Sequence, residues 1–151
     1  VLQIPEEMLS SSEIRTPEIS RIVPRVSLHR EVRAQVNIKQ FLLVETSSGG
    51  AVIEGRDIAN KVFPNAHIKI FITATSLVRA ERELRRLGVS CSLTLQEIES
   101  AILLRDHEDM TRNVDPLVKH PDAFLLDTTH VTQEEMLRAA VAYIDGQFSN
   151  F

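Results

Sequence analysis

Apolar and polar positions change rhythm several times along this chain, and each change marks an element. Ser10-Ser11-Ser12 reads as a short polar spacer. Thr16-Pro17-Glu18 then combines a capping hydroxyl, a proline at the first helical position and an acid in the first turn, which predicts a helix start. Pro24 is expected to end or bend that helix. Ser27 is expected to cap a second helix, with Val32, Val36 and Phe41 or Leu42 on its apolar side and Arg33 as a solvated side chain. Ala51-Val52-Ile53-Glu54, bounded by Gly50 and Gly55, predicts a short buried strand ending on Arg56 and Asp57. Arg56 to Val62 reads as a loop or short helix closed by Phe63-Pro64-Asn65.

The clearest strand pattern runs from His67 to Ala74, apolar enough to be covered on both faces. Thr75 or Ser76 opens a helix that continues through Leu87 and stops at Gly88. Thr94-Leu95-Gln96-Glu97 is a capping box. The helix it starts carries Ile98, Ala101, Ile102 and Leu104 and runs into the segment from Arg105 to Arg112. Ala123 to Thr129 is a third strand, and Thr132 to Glu135 is a second capping box, opening a helix that ends near Gly146. Strands alternating with helices imply an α/β fold with a mostly parallel sheet.

Composition narrows the picture. A chain of 151 residues suits one domain, and 43% hydrophobic with 25% charged residues is globular rather than disordered. No apolar run approaches the ~18 residues of a membrane span, so no membrane partner is expected. Cys91 is the single cysteine, which rules out an internal disulfide and makes a reducing cytoplasm the expected compartment; its thiol reads as incidental. A net charge of −4 argues against a nucleic-acid partner, which needs a basic field. A small anion needs only a few converging arginines.

The candidate chemistry is therefore sought among arginines and acids. Ligands in open α/β sheets sit beyond the carboxyl ends of strands, so Arg56 and Asp57 stand either at the mouth of such a site or in an ordinary surface ion pair. Arg105, Asp109 and Arg112 are spaced to share one helical face. They form either a solvated salt-bridged helix or a pair of guanidinium forks for a phosphorylated ligand. Arg82, Arg85 and Arg86 read as a solvated basic face, one member of which reaches a phosphate if the helix borders a site. Asp127-Thr128-Thr129 is either a site edge or the start of the final helix. His29, His67, His107, His120 and His130 show no metal-ligand spacing, and no metal is assigned to the chain.

Several of these segments together resemble the bacterial cytidylate kinases. They are Ile14-Arg15-Thr16-Pro17-Glu18, Val32-Arg33, Glu54-Gly55-Arg56-Asp57-Ile58, Val62-Phe63-Pro64-Asn65-Ala66, Ile68-Lys69-Ile70-Phe71-Ile72, Arg105-Asp106 through Arg112, Pro116-Leu117 and Leu126-Asp127-Thr128-Thr129. They fall in the family's order and at close to its spacing over almost the whole chain. The resemblance implies a three-layer P-loop kinase fold and ATP-dependent phosphorylation of CMP and dCMP, with ATP and Mg2+ required and a monomer as the full-length form. It implies that residues 1–50 belong to the acceptor-binding insertion and 51–151 to the core, with a lid around 82–115.

The same resemblance implies that Arg56 binds the acceptor's α-phosphate and that Asp57 and Arg33 read the cytosine ring. A carboxylate accepting from the cytosine amino group makes chemical sense of that role. Arg105 and Asp109 are implied to hold the ribose, Arg112 to bridge the phosphates from the lid, and Arg82 to serve as a further lid cation. Arg56 and Arg112 would be the catalytic pair, since phosphoryl transfer depends on positioning and charge neutralisation. The chain departs from the family at Glu108 and Glu83, where further arginines are usual, and at Pro24, where some relatives carry a serine facing the base.

A larger departure is that the 151 residues contain no G-x-x-x-x-G-K-[ST] loop, the element that cradles ATP phosphates and holds magnesium. The related fold sets that loop's strand in mid-sheet, between the strands matching Ala51–Glu54 and Ile68–Ala74. The expectation is thus a fragment of a full kinase, with an inactive nucleotide-binding or interaction module of the same descent as the alternative. The chain purified alone is expected to give no ATP-dependent CMP phosphorylation in a coupled assay, and robust turnover would contradict this.

Overall fold

The structure, a computed structural model, describes residues 11–88 and 91–149. The opening Val1–Ser10, including the first serine of the expected spacer, lies outside them. The chain divides into two compact units: one comprises residues 1–55 with 112–115, the other 56–111 with 116–151.

The first unit is helical. Where a polar spacer was expected, Ser11 caps a tight turn over Ser12–Arg15, its hydroxyl accepting from Glu13 N at 3.1 Å. Thr16 then caps helix α1 (Pro17–Val26) as its pattern predicts, accepting from Ile19 N at 3.3 Å. Pro24 does not end α1, which continues to Val26. Ser27 closes α1 instead of opening the next helix: its hydroxyl donates to Pro24 O at 2.7 Å and its N–H to Val23 O at 2.9 Å. The N-cap of α2 (Arg30–Glu45) is His29, which makes no side-chain capping bond. The apolar stripe of α2 stays open, with Val36 51% and Leu42 51% exposed.

The expected strand over Ala51–Glu54 is absent. These residues form no regular element, and Val52 is fully exposed. A strand is stabilised by cross-strand neighbours, and among the described residues nothing pairs with this run.

The second unit holds the α/β part. Arg56 and Asp57 lead into one wide helical turn over Ile58–Val62, closed by Phe63 N donating to Ile58 O at 2.8 Å. Strand β1 (Ile70–Thr73) and strand β2 (Phe124–Asp127) pair in parallel, with Ile70 opposite Phe124 and Thr73 opposite Asp127. Both strands are shorter than their apolar runs. Cover on both faces is not realised for β1, since Ile72 is 58% exposed.

Helices α3 (Ser76–Leu87) and α4 (Leu95–Thr111) form the crossover. Thr75 caps α3 and Gly88 ends it, taking the positive φ of 73° that favours glycine. Ala80, fully buried, lets α3 and α4 approach closely over Ile98, and Ser76 Oγ donates to Glu99 Oε1 at 2.6 Å. Val62, Ala74, Ala123 and Leu126 complete the buried apolar set. The last helix, α5 (Gln133–Phe148), stacks Tyr143 on Phe124 with ring centroids 4.3 Å apart and runs two residues past Gly146.

Both capping boxes form. Thr132 Oγ1 accepts from Glu135 N at 3.2 Å while Glu135 Oε2 accepts from Thr132 N at 2.8 Å, and Thr94 and Glu97 repeat the exchange. The backbone N–H of each threonine holds its glutamate's carboxyl below the usual 4.5, the hydroxyl adding to the shift. A depressed folded pKa gives stability that is present above the unfolded value and lost as pH falls through the folded one. Thr132→Ala, which removes the hydroxyl capping α5, should cost about 1 kcal/mol in urea denaturation at neutral pH. Glu135→Gln, which keeps an acceptor but not the charge, should flatten the loss of helicity seen by circular dichroism as pH falls below 4.5.

Candidate functional site

Helix geometry sets the centre of the site. Asp106 and Asp109 lie three apart on α4, so both carboxylates project from one face. Asp109 is buried at 5% exposure, and a buried carboxylate needs cationic partners. Arg56 supplies one: its Nη1 lies 2.8 Å from Asp109 Oδ2 and also donates to Asp106 Oδ1 at 3.1 Å. Asp106 Oδ2 faces Arg79 Nη1 of α3 at 2.6 Å. Arg105 stands farther off, 3.9 Å from Asp109, with its side chain 45% exposed.

Arg56 is thus neither of the two sequence alternatives in pure form. It is paired, but into a network closed from α3 and α4, and a third of its side chain remains open to solvent. The named groups are three arginines and two aspartates. Asp57 follows directly, half-buried at the start of the wide turn.

Arg82 is committed differently. Its Nη1 donates to Thr128 Oγ1 at 2.8 Å and its Nη2 to Thr128 O at 2.6 Å. The Thr128 hydroxyl donates in turn to Thr73 O at 2.9 Å, and Thr128 is 2% exposed. Arg82 therefore links α3 to the carboxyl end of β2, beside the end of β1. The neighbouring Asp127 accepts from both the hydroxyl and the N–H of Thr129, which hold its carboxyl below its usual range. Arg85 and Arg86 are solvated as expected, and Arg86 donates to Glu83 at 2.8 and 2.6 Å, lowering the Glu83 pKa.

In the first unit the centre is Asp115, whose φ of 48° is positive in a non-glycine residue; aspartate tolerates this better than most. Arg33 Nε donates to Asp115 Oδ2 at 2.9 Å, with the Arg33 side chain 12% exposed. The solvated reading of Arg33 is overturned, because a carboxylate distant in sequence draws it out of water. Arg112 Nε donates to Asp115 O at 2.7 Å. Arg112 does not share the helical face of Arg105 and Asp109: α4 stops at Thr111, and Arg112 belongs with the first unit.

Sequence reasoning missed Asp106 as a partner of Arg56, and with it Arg79 and Asp115; Thr128 was singled out, but not as the partner of Arg82. The spacing of Asp106 and Asp109 was a usable signal for the first. Nothing local marks Arg79 or Asp115, whose partners lie on other elements or far along the chain.

The profile of the family described as "Cytidylate kinase" matches residues 3–146. A cytidylate kinase of Bacillus cytotoxicus is 41% identical over 135 residues, which cover 89% of this chain and 59% of the relative. Cytidylate kinases of Bacillus cereus and Bacillus thuringiensis are each 39% identical over 140 residues, covering 92% of this chain and 61% of theirs. The chain belongs to the cytidylate kinase family, as its motifs led one to expect. It spans about three-fifths of the length of the curated relatives it matches.

The Thr128 linkage can be checked directly. Thr128→Val keeps the buried shape but removes one of Arg82's two acceptors and the donor to Thr73, and should lower unfolding stability by about 1–2 kcal/mol in urea titrations.

Proposed function

We propose that this protein phosphorylates CMP and dCMP at the expense of ATP, and that the described residues supply the acceptor-binding and lid side of that reaction. Arg56, the arginine of Gly55-Arg56-Asp57, carries the reading. It is held against two carboxylates of α4 and remains partly open to solvent. Such an arginine suits a phosphate monoester: the fork is oriented before the ligand arrives, so less freedom is lost on binding.

The remaining roles follow the family's motifs. Asp57 and Arg33 read the base, Asp109 and Arg105 hold the ribose, and Arg112 bridges the phosphates, with Arg82 as a further lid cation. Uracil would set a carbonyl, not an amino group, before Asp57, which selects cytosine. Residues 1–50 are assigned to the acceptor-binding part and 51–151 to the core, with a lid around 82–115. The single cysteine is in keeping with a reducing cytoplasm, and a monomeric full-length form acting on free nucleotides follows from the resemblance to the family.

The metal and phosphate-loop parts of a donor site are not found among these residues. Among the described residues no three His, Cys, Asp or Glu side chains cluster to hold a metal, and the sequence has no phosphate-cradling loop. The described residues therefore offer no many-liganded metal cage or phosphate loop, and their proposed share of phosphate contact is that of Arg56, Arg112 and Arg82. What the chain's own residues do is neutralise and orient the acceptor phosphate.

Isothermal titration of the 151-residue chain tests the division of labour. Arg56→Ala should weaken CMP and UMP alike, by roughly tenfold or more for loss of a charged hydrogen-bonding partner. Asp57→Ala should instead reduce the preference for CMP over UMP. Equal effects of both changes on both nucleotides would contradict the assignment.

A further inference from the structure

Asp106 has no role in the proposed nucleotide site, yet Arg56 donates to it at 3.1 Å alongside its 2.8 Å approach to Asp109. Arg56 lies outside any regular helix or strand, so the backbone alone does little to fix its side chain. Asp106 sits on α4, its side chain only 16% exposed. Its two oxygens are divided between two arginines from different elements: Oδ1 takes Arg56, and Oδ2 takes Arg79 of α3. Arg79 closes the far side, so the Asp106 carboxylate cannot turn without losing a 2.6 Å ion pair.

We infer that Asp106 is a positioning residue for Arg56, holding its guanidinium for an anionic phosphate monoester, with Arg79 as the counter-charge that holds Asp106. This inference rests on the acceptor-site reading of Arg56 and adds a residue to it. Two physical roles for Asp106 give opposite signs. If it only balanced charge, its removal would raise the positive potential at Arg56 and tighten phosphate binding. If it orients Arg56, its removal takes one of the two carboxylates from the fork, leaving Asp109 to hold it alone, and weakens phosphate binding, because the lost order must be restored on binding.

The experiment compares CMP with cytidine, which lacks the phosphate, by titration calorimetry on the wild-type chain and on Asp106→Asn. The expected result is CMP affinity lower by about tenfold, as for loss of a hydrogen bond to a charged group, with cytidine affinity within about twofold. Arg79→Gln is the second variant, used also if Asp106→Asn does not fold, and should move CMP in the same direction. Unchanged or tighter CMP binding overturns the inference, and so does an equal loss for CMP and cytidine, which marks a purely structural role. Failure of the wild-type chain to bind CMP overturns the acceptor reading and this inference together. Wild-type binding that both variants leave intact removes only the present one.

Discussion

Arg56 and the carboxylates of α4 form the contact on which the second unit's chemistry depends. Asp109 is buried at 5% exposure, and the side chain of Asp106 is 16% exposed. A carboxylate in such a position destabilises the fold unless a cation and its hydrogen bonds come with it. Arg56 and Arg79 answer that need from two directions, one from the stretch before the wide turn and one from α3. The close approach of α3 and α4 over Ala80 and Ile98 is what brings Arg79 within reach. Packing of small and apolar residues thereby determines the geometry of charge.

The first unit solves a similar problem with one residue. Asp115 uses its carboxylate for Arg33 and its backbone carbonyl for Arg112, from a left-handed conformation. In both units an arginine proposed to meet the nucleotide is already engaged by an acid or a carbonyl. Such engagement lowers the freedom an arginine has left to lose when an anion arrives. It also limits how far each side chain can travel, which bears on the proposed lid role of Arg112.

The elements legible in the sequence were those whose signals are local. Caps at Thr16, Thr75, Thr94 and Thr132 and the stop at Gly88 form where their residue types put them, because each is satisfied within one helical turn. Ser27 misled because its hydroxyl had two helix ends within reach, and the preceding one took it. Val52 and its neighbours misled because an apolar run becomes a strand only when a partner supplies the ladder. Arg112 fell beyond the helix on which its spacing to Asp109 depended.

Family and fold class were written in the chain itself, in the order of its motifs and the alternation of strand and helix patterns. So was the presence of the arginines and acids of the candidate site. Which acid holds which arginine was decided only by the tertiary structure. Asp106 with Arg79, Asp115 with Arg33 and Thr128 with Arg82 join residues that no helical or strand period relates. The physical reason is that a charge or hydrogen-bonding group takes the best partner that packing brings near it, and packing is a property of elements brought together from distant parts of the chain.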